Sequence, residues 1–179
     1  MDVLIVVDMQ NDFIDGALGS KMAQAIVENV NQKVKEAEEN GKVIIFTKDT
    51  HYENYLDTEE GKNLPVPHCI VNTEGWEIAD KIKVPNDANI LQKNTFGAKF
   101  LSDYLLMCDN IKNIELVGLC TDICVISNAI VAKTAEPNAH IIVDASCCAG
   151  VTPKSHDTAL SAMKTLQIEV INQGKEPWR

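Results

Sequence analysis

The stretch VGLCTDICV, residues 117–125, sets Cys120 and Cys124 four positions apart where an apolar run ends. Four kinds of chemistry are open to such a pair: a metal clip, a disulfide, a redox couple, or one nucleophile beside a bystander. A zinc clip needs two further ligands close by, and CxxxC spacing alone says little about them. A nucleophile needs help of another kind. A free thiol has a pKa of about 8.5, so near neutral pH a neighbour must take the proton or stabilise the anion. Residues able to do so occur in VVDMQNDF (Asp8), KDTHYENY (Asp49, His51) and LQKNTFGAKF (Lys93).

The elements around these residues bring them to one place. Runs rich in β-branched and aliphatic residues recur at 2–8, 42–48, 89–93, 114–119, 140–145 and 167–171. Most are continuously apolar, as strands buried on both faces of a parallel sheet are. Helical patterns at 20–41, 98–108, 122–135 and 155–166 separate them; the first puts Met22, Ala25, Ile26, Val30 and Val34 on one stripe and stops at Asn40-Gly41. The alternation predicts an α/β fold, a three-layer α/β/α sandwich with a mostly parallel, doubly wound six-stranded sheet. Its strand order is expected to reverse beside the first strand. Ligands bind at the carboxyl ends of such strands. Asp8 follows the first run, Asp49 and His51 the second, Lys93 ends the third, and GLCTDIC ends the fourth. Residues 49–88 break the rhythm, with only a short helical possibility near EGWEIADKI; a loop that long is usually functional, and it holds two of the four histidines.

The totals narrow the class. A chain of 179 residues suits one domain, 1–179. A net charge of −10 and a pI near 4.8 disfavour nucleic acid and anionic membrane surfaces as partners. The N-terminus lacks a basic region before its short apolar run, which Asp8 interrupts, and no run is long enough to span a bilayer. A cytoplasmic protein is expected, with its six cysteines as free thiols. Cys69, Cys108, Cys147 and Cys148 read as structural, as do His140 and His156.

VVDMQNDF, LQKNTFGAKF and VGLCTDICV, in this order, resemble the isochorismatase-like cysteine hydrolases across essentially the whole chain. The resemblance implies a catalytic triad of Asp8, Lys93 and Cys124. It also implies an oxyanion hole from the backbone N–H groups of Cys120 and Cys124, a cis peptide between Leu119 and Cys120, and assembly as a homodimer or homotetramer. Cys124 is then the nucleophile and Cys120 contributes its backbone. Asp8 can take the thiol proton and return it to the leaving amine, while Lys93 holds and tunes Asp8. The start of the following helix is expected to favour a thiolate.

The segment KDTHYENY…LPVPHCIVNTEGWEI resembles the metal loop of the nicotinamidases in that family, which implies Asp49, His51 and His68 as ligands of one divalent ion, expected to be Zn²⁺. Taken singly, each of these residues reads as a turn cap or a loop-lining side chain. Where nicotinamidases carry Trp-Pro before the second histidine, this chain has Pro65-Val66-Pro67. Phe13, Phe96 and Leu119 are the expected pocket residues, with Trp76 a candidate replacement for the missing aromatic wall. The expected activity is hydrolysis of a small carboxamide, nicotinamide first. A related amidase for another amide or ureide, and a non-catalytic metal-binding domain, are the competing readings.

Overall fold

Strands β1 (Asp2–Val7), β2 (Val43–Asp49), β3 (Asn89–Lys93), β4 (Asn113–Leu119), β5 (His140–Ala149) and β6 (Glu169–Ile171) form one sheet in the order β3-β2-β1-β4-β5-β6. Every neighbouring pair is parallel in this computed structural model, which describes residues 1–179. The side chains of β1 explain its unbroken apolar run. Val3, Ile5 and Val7 enter one core cluster, and Leu4 and Val6 enter the other. Helices α5 (Lys99–Leu106), α6 (Ile126–Ala135) and α7 (Pro153–Thr165) close the first cluster. Helices α1 (Asn11–Ile14), α2 (Lys21–Ala25) and α3 (Val27–Glu39), with the loop around Trp76, close the second. All six strands and the three-layer arrangement agree with the sequence expectation.

The helical pattern at 20–41 is interrupted. Ser20 caps α2 by accepting the Ala23 N–H at 3.0 Å, and the chain turns at Ile26 before α3 begins. Ile26, Val30 and Val34 are buried as expected, but the break turns Ala23 inward and leaves Met22 and Ala25 half-buried. The pattern at 122–135 is preceded by a wide π-type turn, Thr121–Val125, and only then becomes α6. Beyond the Asp49 end of β2, residues 50–88 contain a small helix α4 (Glu59–Asn63), single 3₁₀ turns at Tyr55–Asp57 and Glu74–Trp76, and no further strand. No helix is long and apolar enough to cross a membrane, and all six cysteines are free.

After β1 the chain builds β2 and β3 on one side, then returns past β1 to lay β4 on the other. The first and fourth strands therefore end side by side, with Val7 paired to Gly118. Gly118 has φ +116, and a Cβ there would lie 2.2 Å from the Val7 carbonyl oxygen. A larger residue would drive β4 off β1 just below Asp8. Gly118→Ala is therefore expected to cost roughly 2–4 kcal/mol, read as a lower midpoint with unchanged slope in urea unfolding.

Candidate active site

Asp8, the first residue beyond β1, has a left-handed backbone at φ +48. Its N–H donates to the Thr47 carbonyl at 3.2 Å, and the Thr47 hydroxyl donates to Asp8 Oδ1 at 2.6 Å. Gln10, two residues on, is fully buried and fixes the end of β2. Its Oε1 accepts the Asp49 N–H at 2.6 Å, while its Nε2 donates to the carbonyls of Asp49 and Trp76, each at 2.8 Å. The D-x-Q motif thus places one carboxylate and locks the strand that bears the next.

Lys93 ends β3 with its ammonium out of contact with water. Its Nζ lies 2.7 Å from Asp8 Oδ2, 3.1 Å from Asp49 Oδ1 and 3.4 Å from Cys124 Sγ. Burial alone would pull this lysine down. The carboxylates of Asp8 and Asp49, with the Cys124 sulfur beside them, outweigh burial and hold its pKa well above the usual range. No donor is directed along the lone pairs of Asp8 Oδ2, so its contact with Lys93 is a close ion pair rather than an aligned hydrogen bond. That oxygen keeps room for a proton.

Cys124 lies in the Thr121–Val125 turn between β4 and α6, and Asn128 holds it by donating to its carbonyl at 2.8 Å. The expectation of a thiolate favoured by the helix start does not match its surroundings. Burial is the main reason the thiol pKa stands well above its ordinary value; the Asp8 carboxylate raises it further, and Lys93 opposes both. Burial also lifts Asp8 above the usual carboxylate range, against the pull of Lys93. The resting pair is a neutral thiol beside a carboxylate of raised basicity. The Leu119–Cys120 peptide is cis, and the Cys120 N–H makes no hydrogen bond within the chain.

Beside this trio stands a cluster of side chains that could hold a metal ion. Asp49 Oδ2 is 2.9 Å from His51 Nε2 and 3.6 Å from His68 Nε2, and Glu60 Oε1 is 3.6 Å from each of the same two nitrogens. A tetrahedral ion with ligands at about 2.0–2.1 Å spaces them about 3.3–3.4 Å apart. Four of the six donor pairs, one at 2.9 Å and three at 3.6 Å, bracket that spacing, and all four donors lie within 4.8 Å of one another. His68 Nδ1 donates to the Val66 carbonyl at 2.8 Å, which leaves the Nε2 lone pair facing the cluster. Asp49 stays ionised. Burial would raise it, but the hydrogen bond from His51 and the charge of Lys93 hold it well below the usual range. The donor set fits a divalent ion such as Zn²⁺.

Cys124 and the four donors open onto one cavity of about 1050 Å³. Phe13 and Phe96 line it as expected, and Phe13 meets the His68 ring edge-on with centroids 5.5 Å apart. Leu119 does not line it: its side chain is buried in the core cluster beneath, because the strand alternation turns it away from the mouth. Trp76 is also absent from the wall. Its ring lies under the Lys48 ammonium and its Nε1 donates to Thr50 Oγ1 at 2.8 Å, so it supports the β2 end from behind. Tyr52 and Tyr55 supply further aromatic wall.

Glu60 and Asn128 escaped the sequence reading. Glu60 sits in a five-residue helix beside Glu59, with no motif around it; Asn128 sits one turn beyond Cys124, where that spacing is its only signal.

The chain belongs to the isochorismatase family: residues 2–174 match the isochorismatase domain. It is similar to an uncharacterised isochorismatase family protein, PncA, of Bacillus subtilis (strain 168), with 30% identity over 170 residues covering 88% of this chain and 91% of that one. It is 25% identical to the nicotinamidase/pyrazinamidase of Mycobacterium tuberculosis, over 96% of this chain and 98% of that one. The structure of the Pyrococcus horikoshii pyrazinamidase in complex with zinc superposes with a TM-score of 0.84 at 29% identity, covering 95% of this chain and 98% of that one.

The charges around the sulfur give a signed expectation. Removing the Asp8 charge removes one cause of the raised thiol pKa, and removing Lys93 removes the opposing one. The pH midpoint for iodoacetamide alkylation of Cys124 should therefore fall in Asp8→Asn and rise in Lys93→Met.

Proposed function

We propose that the chain is a metal-assisted cysteine amidase that converts a small carboxamide, nicotinamide first, to the carboxylic acid and ammonia. One observation carries this reading: Lys93 touches Asp8, Cys124 and Asp49, so the thiol and the metal ligands share one joint on one cavity. The nicotinamidase and pyrazinamidase relatives support the substrate class.

In the proposed reaction Cys124 Sγ attacks the amide carbon as its proton passes to Asp8 Oδ2. The N–H groups of Cys120 and Cys124 receive the oxyanion. Asp8 returns the proton to the departing nitrogen, the C–N bond breaks, and ammonia leaves a Cys124 thioester. Water then adds to the thioester with Asp8 again as base, releasing the acid and restoring the thiol. Lys93 stays charged and keeps the protonation of Asp8 reversible. A divalent ion held by Asp49, His51 and His68, with Glu60 as a further donor and a position left open in its shell, would supply a coordination point for a ring nitrogen and so orient the amide. Phe13 and Phe96 would hold the ring between them.

The Pro65-Val66-Pro67 stretch, where nicotinamidases carry Trp-Pro, favours a second reading, a related cysteine amidase for another small amide or ureide. We further propose a cytoplasmic homodimer or homotetramer, which light scattering would test.

Ammonia release from a carboxamide panel led by nicotinamide and pyrazinamide decides between the two. Cys124→Ala should abolish release with fold and metal content intact, and Cys120→Ala should keep most activity. Failure of every carboxamide, with Cys124 still alkylable, would sink the amidase reading. Chelation should penalise pyridine carboxamides far more than benzamide, which has no ring nitrogen, and His51→Ala with His68→Ala should reproduce that pattern. Glu60→Gln is expected to weaken metal retention about tenfold or more, measured by competition with a chromogenic chelator. Unchanged nicotinamide hydrolysis by metal-free protein would make the ion structural.

A further inference from the structure

Thr121 opens the turn that carries Cys124, and its hydroxyl lies 2.7 Å from Nδ1 of His156 in the first turn of α7. The other ring nitrogen, Nε2, lies 3.2 Å from Glu176 Oε1 near the end of the chain. A carboxylate can only accept, so Nε2 carries the proton of the neutral ring and Nδ1 accepts from the Thr121 hydroxyl. Burial pushes the His156 pKa below its usual value, which suits the neutral form.

The last residues are built to hold this relay shut. The side chains of His156 and Glu176 have no exposure at all. Arg179 pairs with Glu176 and with Asp157, and the Gly174 N–H donates to Glu176 Oε2 at 3.0 Å. Trp178 meets the His156 ring edge-on, with centroids 5.0 Å apart, and donates from Nε1 to the Cys148 carbonyl at 3.1 Å. A second tie joins the same turn to the α7 entrance, where the Val151 N–H donates to the Asp122 carboxylate at 3.1 and 3.2 Å.

An apolar tail would cover α7 equally well. A buried carboxylate and imidazole carry a desolvation cost that only complete pairing offsets, and here the pairing runs to the one turn that bears the nucleophile. We propose that Glu176, acting through His156 and Thr121, is a positioning residue that fixes the Cys124 turn, which makes the C-terminal segment part of the active-site framework. The proposal rests on reading Cys124 as the nucleophile.

The test compares Glu176→Leu and Thr121→Val, which break the relay from its two ends, with Glu176→Gln, which keeps an acceptor for His156. Met163→Ala, a core variant further along α7, serves as the control for lost stability. Hydrogen exchange of the 118–126 peptide should speed up in the two breaking variants, and in neither the Gln variant nor the control. On an amide that the wild type hydrolyses, kcat should fall about tenfold with KM within about twofold. If Glu176→Leu fails to fold, Thr121→Val alone decides, through the same exchange measurement. Exchange in 118–126 that stays at the wild-type rate in Thr121→Val, or that rises equally in the Met163 control, overturns the proposal. A wild type that hydrolyses no amide would defeat the proposed function and leave the exchange result standing as the test of the tether.

Discussion

An ammonium sealed from water must be surrounded by negative charge, and Lys93 imposes that demand on the whole catalytic edge of the sheet. Removing one partner of a buried ion pair typically costs about 3–5 kcal/mol, so Asp8 and Asp49 are bound to Lys93 by stability as well as chemistry. Each carboxylate spends one oxygen on the lysine. The second oxygen of Asp49 turns to the histidines, and the second oxygen of Asp8 is anchored by Thr47. One cation thereby divides two acids between two tasks. With Glu60 counted, three carboxylates crowd a site with a single permanent cation, and a divalent ion among Asp49, Glu60, His51 and His68 would restore the balance.

Sheet topology makes this arrangement cheap to build. The four residues that converge come from the ends of four different strands, and parallel pairing brings those ends to one edge without any long reach. Gly118 lets the first and fourth strands close up where Asp8 and the Cys124 turn follow them, and the β5 register shift opposite Leu116 and Gly118 accompanies the change in direction. Support behind the edge is polar and directional: Gln10 for Asp49, Thr47 for Asp8, Asn128 for Cys124.

Much of this was legible in the sequence, because continuous apolar runs and their spacing encode a buried parallel sheet directly. Strand ends then locate Asp8, Asp49, Lys93 and the cysteine turn without knowledge of any contact. What escaped depends on features that periodicity does not carry. The break at Ile26 is a local backbone choice inside an otherwise good helical stripe. The sides to which Leu119 and Trp76 point follow from strand alternation and from one indole hydrogen bond. Glu60 belongs to a loop with no repeating pattern, so only three-dimensional closure of that loop reveals it. The protonation of Cys124 was read from the helix start, whereas burial and the neighbouring acid dominate it.

The bridge between His51 and Ile70 gives the loop that carries the candidate metal ligands an unusual freedom. His51 N–H bonds the Cys69 carbonyl at 2.9 Å and Val71 N–H bonds the His51 carbonyl at 2.8 Å, so the excursion from 52 to 67 is clasped at its base. Lengthening a clasped excursion costs little, since closure entropy grows only with the logarithm of its length. Asp49 and His51 sit at or outside the clasp and His68 directly abuts it, while Glu60 rides on the excursion. Insertions and deletions in that stretch can therefore exchange the fourth donor and reshape the mouth of the cavity while the clasp keeps Asp49, His51 and His68 in register. Under the proposed function, ion preference and substrate range can diverge there without disturbing the Asp8, Lys93 and Cys124 group.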